Sequence, residues 1–220
     1  MEIININGEN KMEGELMRIH QHSIPKMIQL APNTIISCSS DHNIKIFNIL
    51  PFRNVKTLIG HAEAVRSIYK LKNENILVSG SNDDVLIFWN ITTGDKMKTI
   101  PNICCRGPNT IKEYGNKTIL VGKENTIFLI KIQNKNGQLN FKRTKFFKNN
   151  AIGFASCIEI FDNDWIMFGC KNGKVLIYNP EKKREILTDS KHPKYITSLV
   201  DLKNNTFATA VDGTIKIWKY

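Results

Sequence analysis

The chain repeats one phrase five times, and that repetition limits its fold more than any other feature. The clearest copy is SGSNDDVLIFWN, Ser79–Asn90, in which small residues lead to an acidic turn and then to an apolar run ending in Trp89. The others are SCSSDHNIKIFN from Ser37, LVGKENTIFLI from Leu120, FGCKNGKVLIYN from Phe168 and TAVDGTIKIWK from Thr209. Aligned on the turn, the copies superpose Asp41, Asp83, Glu124, Asn172 and Asp212. Six residues later stand Phe47, Trp89, Ile130, Tyr178 and Trp218. The turn residues are 42, 41, 48 and 40 apart. A period of this length marks an array of units with four strands each, and it makes the chain all-β.

Within each unit an inner strand comes first: Ile24–Leu30, Val65–Leu71, Thr110–Tyr114, Ala155–Phe161 and Ile196–Leu202. Apolar residues recur there at spacings of three, as in Val65, Ile68 and Leu71, which taken alone could be helical. Short length, β-branched content and the polar turns that follow favour strands, and a bulge would reconcile the spacing with a strand. A second strand leads into the acidic turn, where Gly173 and Gly213 fit positive φ. Outer strands at Val55–Ile59, Lys96–Ile100, Asn140–Phe146 and Lys183–Thr188 carry the basic residues of solvated edges. The last unit stops after its third strand, whereas Glu15–Ile19 reads as a fourth strand without a unit. Pairing the two would close a ring and remove its exposed edges. Residues 1–14 then form a polar extension and residues 15–220 one array of about five four-stranded antiparallel blades. An open array completed by a partner chain, or part of a larger ring, remains an alternative.

These units resemble the WD40 family, whose members fold as β-propellers. GHAEAVRSIYKLKNENILVSGSNDDVLIFWN, residues 60–90, carries the Gly-His opening, with Trp-Asn in place of the usual Trp-Asp close. The resemblance implies a buried hydrogen-bond relay in each complete unit. Here that is His61, Ser79, Asp83 and Trp89; then His20, Ser37 and Asp41, where Phe47 has no N–H to donate; and His192, Thr209, Asp212 and Trp218 across a turn one residue shorter. A His-Asp-Ser set also suggests a nucleophilic triad, but a triad is needed once and this set recurs, which marks a structural staple. The resemblance further implies a partner-binding face at the channel mouth. Its members would be Pro25, Arg66, Asn109, Ser156 and Thr197 on the inner strands, and Ser40, Asn82, Lys123, Lys171 and Val211 before the turns. That face is polar and mildly basic. It suits an acidic or phosphorylated peptide better than an apolar helix.

Composition narrows the remaining classes. The net charge is +11 at pH 7, carried mainly by Lys in a chain also rich in Ile and Asn. Nucleic-acid binders concentrate Arg for bidentate contacts, so RNA or anionic lipid is a secondary reading. Phe141–Lys148 interleaves basic and aromatic residues, and an outer strand with Phe inward and Lys outward accounts for it. Five cysteines without CxxC spacing suit reduced thiols, and no Walker loop, nucleophile elbow or metalloprotease motif is present. The expectation is therefore a non-enzymatic protein-interaction scaffold without cofactor or metal. The start lacks an apolar signal core and no run is long enough for a membrane helix, so the expected location is intracellular, cytoplasmic or nuclear.

Overall fold

A computed structural model describes residues 18–219 except 73, 104, 106, 108, 136–137, 149, 151–152, 162–163 and 188–191. Every regular element in it is a strand. The first sheet comprises β1 (Lys26–Ala31), β2 (Thr34–Cys38), β3 (Ile44–Asn48) and β4 (Arg53–Leu58). The second is β5 (Val65–Lys70), β6 (Ile76–Ser81), β7 (Val85–Asn90) and β8 (Lys96–Pro101); the third is β9 (Ile111–Glu113), β10 (Thr118–Lys123), β11 (Thr126–Lys135) and β12 (Gln138–Lys148). The fourth holds β13 (Ala155–Ile160), β14 (Ile166–Cys170), β15 (Val175–Asn179) and β16 (Arg184–Leu187). The fifth holds β17 (Ser198–Lys203), β18 (Thr206–Val211) and β19 (Thr214–Lys219). Each sheet is an antiparallel meander in sequence order, and successive sheets meet through their inner strands β1, β5, β9, β13 and β17. The result is a five-bladed β-propeller. Among the described residues no helix is long and apolar enough to cross a membrane.

In two inner strands the spacing of three comes from a bulge. In β5 the register slips between Val65 and Ser67, so Arg66 is an extra residue, and Val65 and Ile68 fall on one face, both fully buried. A matching slip between Ala155 and Cys157 makes Ser156 the extra residue of β13.

The blades are held by four apolar layers, one at each successive junction. Three residues past every turn residue, and again five past it, stands a pair on the third strand that faces the next blade. Ile44 and Ile46 pack with Val65, Ile68 and Trp89; Leu86 and Phe88 with Ile111 and Ile130. Ile127 and Leu129 pack with Phe168 and Leu176, and Val175 and Ile177 with Leu199 and Phe207.

The fifth junction differs. Closure by Glu15–Ile19 was the expectation; residues 15–17 lie outside the described residues, and Arg18 and Ile19 are not in a strand. The Ile19 carbonyl instead accepts the Lys45 ammonium at 2.7 Å. The outer edge of β19 has no strand partner, and the first and fifth blades do not pack as their neighbours do, among the described residues. Ile215 and Ile217, the pair that should face a next blade, are 72% and 63% exposed. A direct comparison follows. Leu86→Ala should cost about 2–5 kcal/mol in urea unfolding, whereas Ile215→Ala at the same repeat position should stay within about 0.5 kcal/mol. Equal losses would mean that the fifth junction is packed in solution.

Candidate functional site

Two polar constructions stand out, one inside the blades and one at the mouth of the ring. The first is the relay. In the second blade Trp89 Nε1–H donates to Ser79 Oγ at 2.8 Å, and Ser79 lies 2.7 Å from His61 Nε2. Indole is only a donor, so the Ser79 hydroxyl proton goes to Nε2, and Nδ1–H is left to donate to Asp83 at 2.9 Å. Asp83 also accepts the Ala62 and Val85 amides. The first blade repeats this without the indole: His20 bonds Ser37 and Asp41, both at 2.8 Å. Ser79 is completely buried and already engaged, so its hydroxyl cannot meet a substrate.

Asp212 is the exception and corrects the expected relay. His192 Nε2 bonds Thr209 at 2.6 Å and Trp218 donates to Thr209 at 2.8 Å, but Asp212 turns outward to pair with Lys194. The cause is turn length. Val211 pairs with Thr214, so only Asp212 and Gly213 remain for the turn, both at positive φ (39° and 75°). His192 Nδ1 is left buried with no hydrogen-bond partner among the described residues. In the fourth blade Phe168 and Tyr178 occupy the places of Ser79 and Trp89, and Phe147 packs with both, so an aromatic cluster replaces the polar chain.

Burial lowers the pKa of His61 and of His192, with Lys96 and Lys216 adding to the effect. Burial alone would raise Asp83, but the Ala62 amide, the His61 ring and the Val85 amide outweigh it and hold it below its ordinary value; Asp41 behaves alike through Gln21, His20 and Asn43. A histidine depressed in the folded state favours folding above its unfolded pKa of 6.5, and that contribution is lost as pH falls. The carboxylates contribute above 3.8 and lose it below. Urea midpoints should therefore decline as pH falls below 6.5 and drop again below 3.8. Asp83→Ala should cost about 1–3 kcal/mol and Asp212→Ala less than about 0.5 kcal/mol. A large loss for Asp212→Ala would restore it to the relay.

The second construction is a cavity of about 490 Å³ on the ring axis, lined by Pro25, Arg66, Gly107, Ser156, Lys171, Tyr195, Ile196 and Thr197. All five blades contribute. The two bulges account for two of its walls, because an extra residue in a strand is re-aimed away from the sheet faces, here Arg66 and Ser156. Ser156 Oγ donates to the Gly169 carbonyl at 2.9 Å. Gly107 is required by close approach: a Cβ there would lie 2.0 Å from the Ser156 carbonyl oxygen. Arg66 touches Ser40 Oγ at 3.4 Å and makes no ion pair among the described residues, since Glu74 is taken by Lys117. The Lys171 ammonium sits 5.1 Å from the centre of the Phe154 ring. Among the described residues no carboxylate lines the cavity.

Of the ten residues assigned to the face by sequence, the cavity gathers Pro25, Arg66, Ser156, Lys171 and Thr197, with Ser40 beside Arg66. Asn82, Lys123 and Asn109 are set back from it: the Asn82 amide bonds Ala64, Lys123 reaches the Asn102 carbonyl, and the Asn109 carbonyl accepts the Ile158 amide. Val211 does not belong to a binding face, because β18 continues through it and buries it between the fourth and fifth blades. Sequence reasoning missed Tyr195, which is 54% exposed in the loop before β17 and gives the mouth an aromatic ring. The outer-strand aromatics point inward: Phe141 meets Phe88 at 4.5 Å, and Phe147 stacks on Phe168 at 5.9 Å. Cys38, Cys157 and Cys170 are free and buried, Cys105 is buried, and burial pushes the Cys38, Cys157 and Cys170 thiols up to about 12. No group of three His, Cys, Asp or Glu among the described residues is placed to hold a metal.

Comparison with known proteins agrees with this architecture. The pattern of the family described as WD domain, G-beta repeat matches residues 52–90 and 183–219. Each match runs from an outer strand through the third strand of the following blade, and the two blades are those with Trp89 and Trp218. This chain carries WD40 repeats in these two blades. It is 26% identical over 189 residues to an uncharacterized WD repeat-containing protein of Schizosaccharomyces pombe, covering 84% of this chain and 51% of that one. Nuclear distribution protein nudF 1 of Talaromyces marneffei is 43% identical over 67 residues, 30% of this chain and 15% of that one. Nuclear distribution protein PAC1 of Candida tropicalis is 33% identical over 96 residues, 42% and 19% respectively. The WD40 chain thus aligns with about half, or less, of the length of these relatives.

Proposed function

We propose that this WD40 propeller is a non-enzymatic interaction platform whose mouth takes an acidic or phosphorylated segment of a partner protein. The observation that supports this reading is the pairing of Arg66 and Lys171 on one cavity that no carboxylate lines among the described residues. Both lack an ion pair among the described residues, so each is free to meet an anionic side chain. Arg66 offers a bidentate fork, Lys171 adds a point charge, and Tyr195 supplies an exposed aromatic contact. Rigid sheets hold these groups while the loops vary, which is how a propeller face discriminates among partners.

An array of acidic, phosphorylated and neutral peptides tests the reading. The wild-type protein should retain acidic or phosphorylated sequences. Arg66→Glu combined with Lys171→Glu should weaken that retention by about tenfold or more, with the melting temperature nearly unchanged, because neither residue contributes to the relay or the apolar layers. Retention that survives the double substitution would remove the mouth as the site.

A further inference from the structure

The repeat leaves two faces uncovered, and they are complementary. On every third strand a forward pair is covered by the next blade, except in the fifth, where Ile215 and Ile217 are open. The row Val200, Ala208 and Ile217 runs across all three strands of that blade, and Val200 and Leu202 are also exposed. On the inner strands of the second, fourth and fifth blades a rearward pair meets the preceding blade. Val65 and Ile68 do so in the second blade and Ile196 and Leu199 in the fifth, all buried. The equivalents in the first blade are Ile24 and Met27, 38% and 44% exposed. Among the described residues one molecule therefore carries a free front face and a free rear face of the same repeat.

We propose that the front face of the fifth blade docks on the rear face of the first blade of a second copy of this chain. The contact continues the interface used four times within the molecule: β-branched side chains from a third strand set against aliphatic side chains of an inner strand. Such a pairing is head-to-tail, so the two surfaces in contact are different ones. Burial of apolar side chains drives it, and the +11 charge of each copy opposes it. Association should then strengthen as salt screens the repulsion, the opposite of binding driven by charge attraction.

Two blocked variants of the full chain test this by sedimentation velocity and light scattering. Ile215→Lys/Ile217→Lys closes the front face, and Ile24→Lys/Met27→Lys closes the rear. All four side chains are exposed, so both variants should keep the wild-type melting temperature; Ile217→Glu alone serves as a milder front block. Wild-type protein should form species heavier than the monomer as its concentration rises, and each variant alone should remain monomeric. An equal mixture of the two should form a one-to-one complex of twice the monomer mass, because each variant keeps the face that the other needs. A wild-type monomer at every concentration, a mixture that stays monomeric, or a front-blocked variant that still self-associates would each overturn the proposal. The first of these would mean that the chain covers both faces itself.

Discussion

Face-to-face apolar packing between successive sheets is the interaction on which this molecule depends. No single sheet has a core of its own; each is three or four strands with two apolar faces, and each face is covered only by a neighbour. The forward pair on a third strand and the rearward residues of the next inner strand form the recurrent joint. It appears between the first and second blades as Ile44 and Ile46 against Val65 and Ile68, and between the fourth and fifth as Val175 and Ile177 against Leu199. Stability in such an array is a sum over joints, which is why a five-unit chain can stand with one joint unmade.

The polar relay is subordinate to that joint but makes it specific. A buried serine, histidine and carboxylate would be costly if any member lacked a partner. In the second blade the donor order from Trp89 through Ser79 and His61 to Asp83 leaves none of them unmatched. The fourth blade avoids the requirement by placing Phe168 and Tyr178 there instead. The fifth keeps the histidine and loses the carboxylate. These are three solutions at one repeat position, and turn length separates the first from the last.

Much of this was legible in the sequence because the repeat has a period, a polar turn and an aromatic full stop, all local signals. The relay in the first two blades could be read from His61, Ser79 and Asp83 for the same reason. Asp212 could not, because two residues of turn geometry at positive φ decide where its carboxylate points. Val211 looked like a rim position by alignment, yet strand alternation places its side chain with Thr209 on the buried face. The mouth was partly legible: Arg66 and Ser156 follow the first core residue of their strands, but their aim depends on a bulge, which is a matter of register between strands. Tyr195 and Gly107 sit in loops that carry no repeat signal. The uncovered face of the fifth blade is invisible to composition, since Ile215 and Ile217 look the same as Leu86 and Phe88 until their neighbours are known.

The orphaned Nδ1 of His192 has a consequence for how the molecule opens. Among the described residues the fifth blade has one neighbour where the interior blades have two, three strands where they have four, and a histidine held by one nitrogen where His61 is held by two. Cooperativity in a repeat array is a property of joints, so this blade is the cheapest unit to detach. Local opening would begin there and stop at the fourth blade, whose Phe147, Phe168 and Tyr178 cluster fastens it to the third. The protein thus has a direction built into its breathing. Excursions that begin in the fifth blade carry Tyr195, Ile196 and Thr197 with them, and so open one wall of the cavity that Arg66 shares.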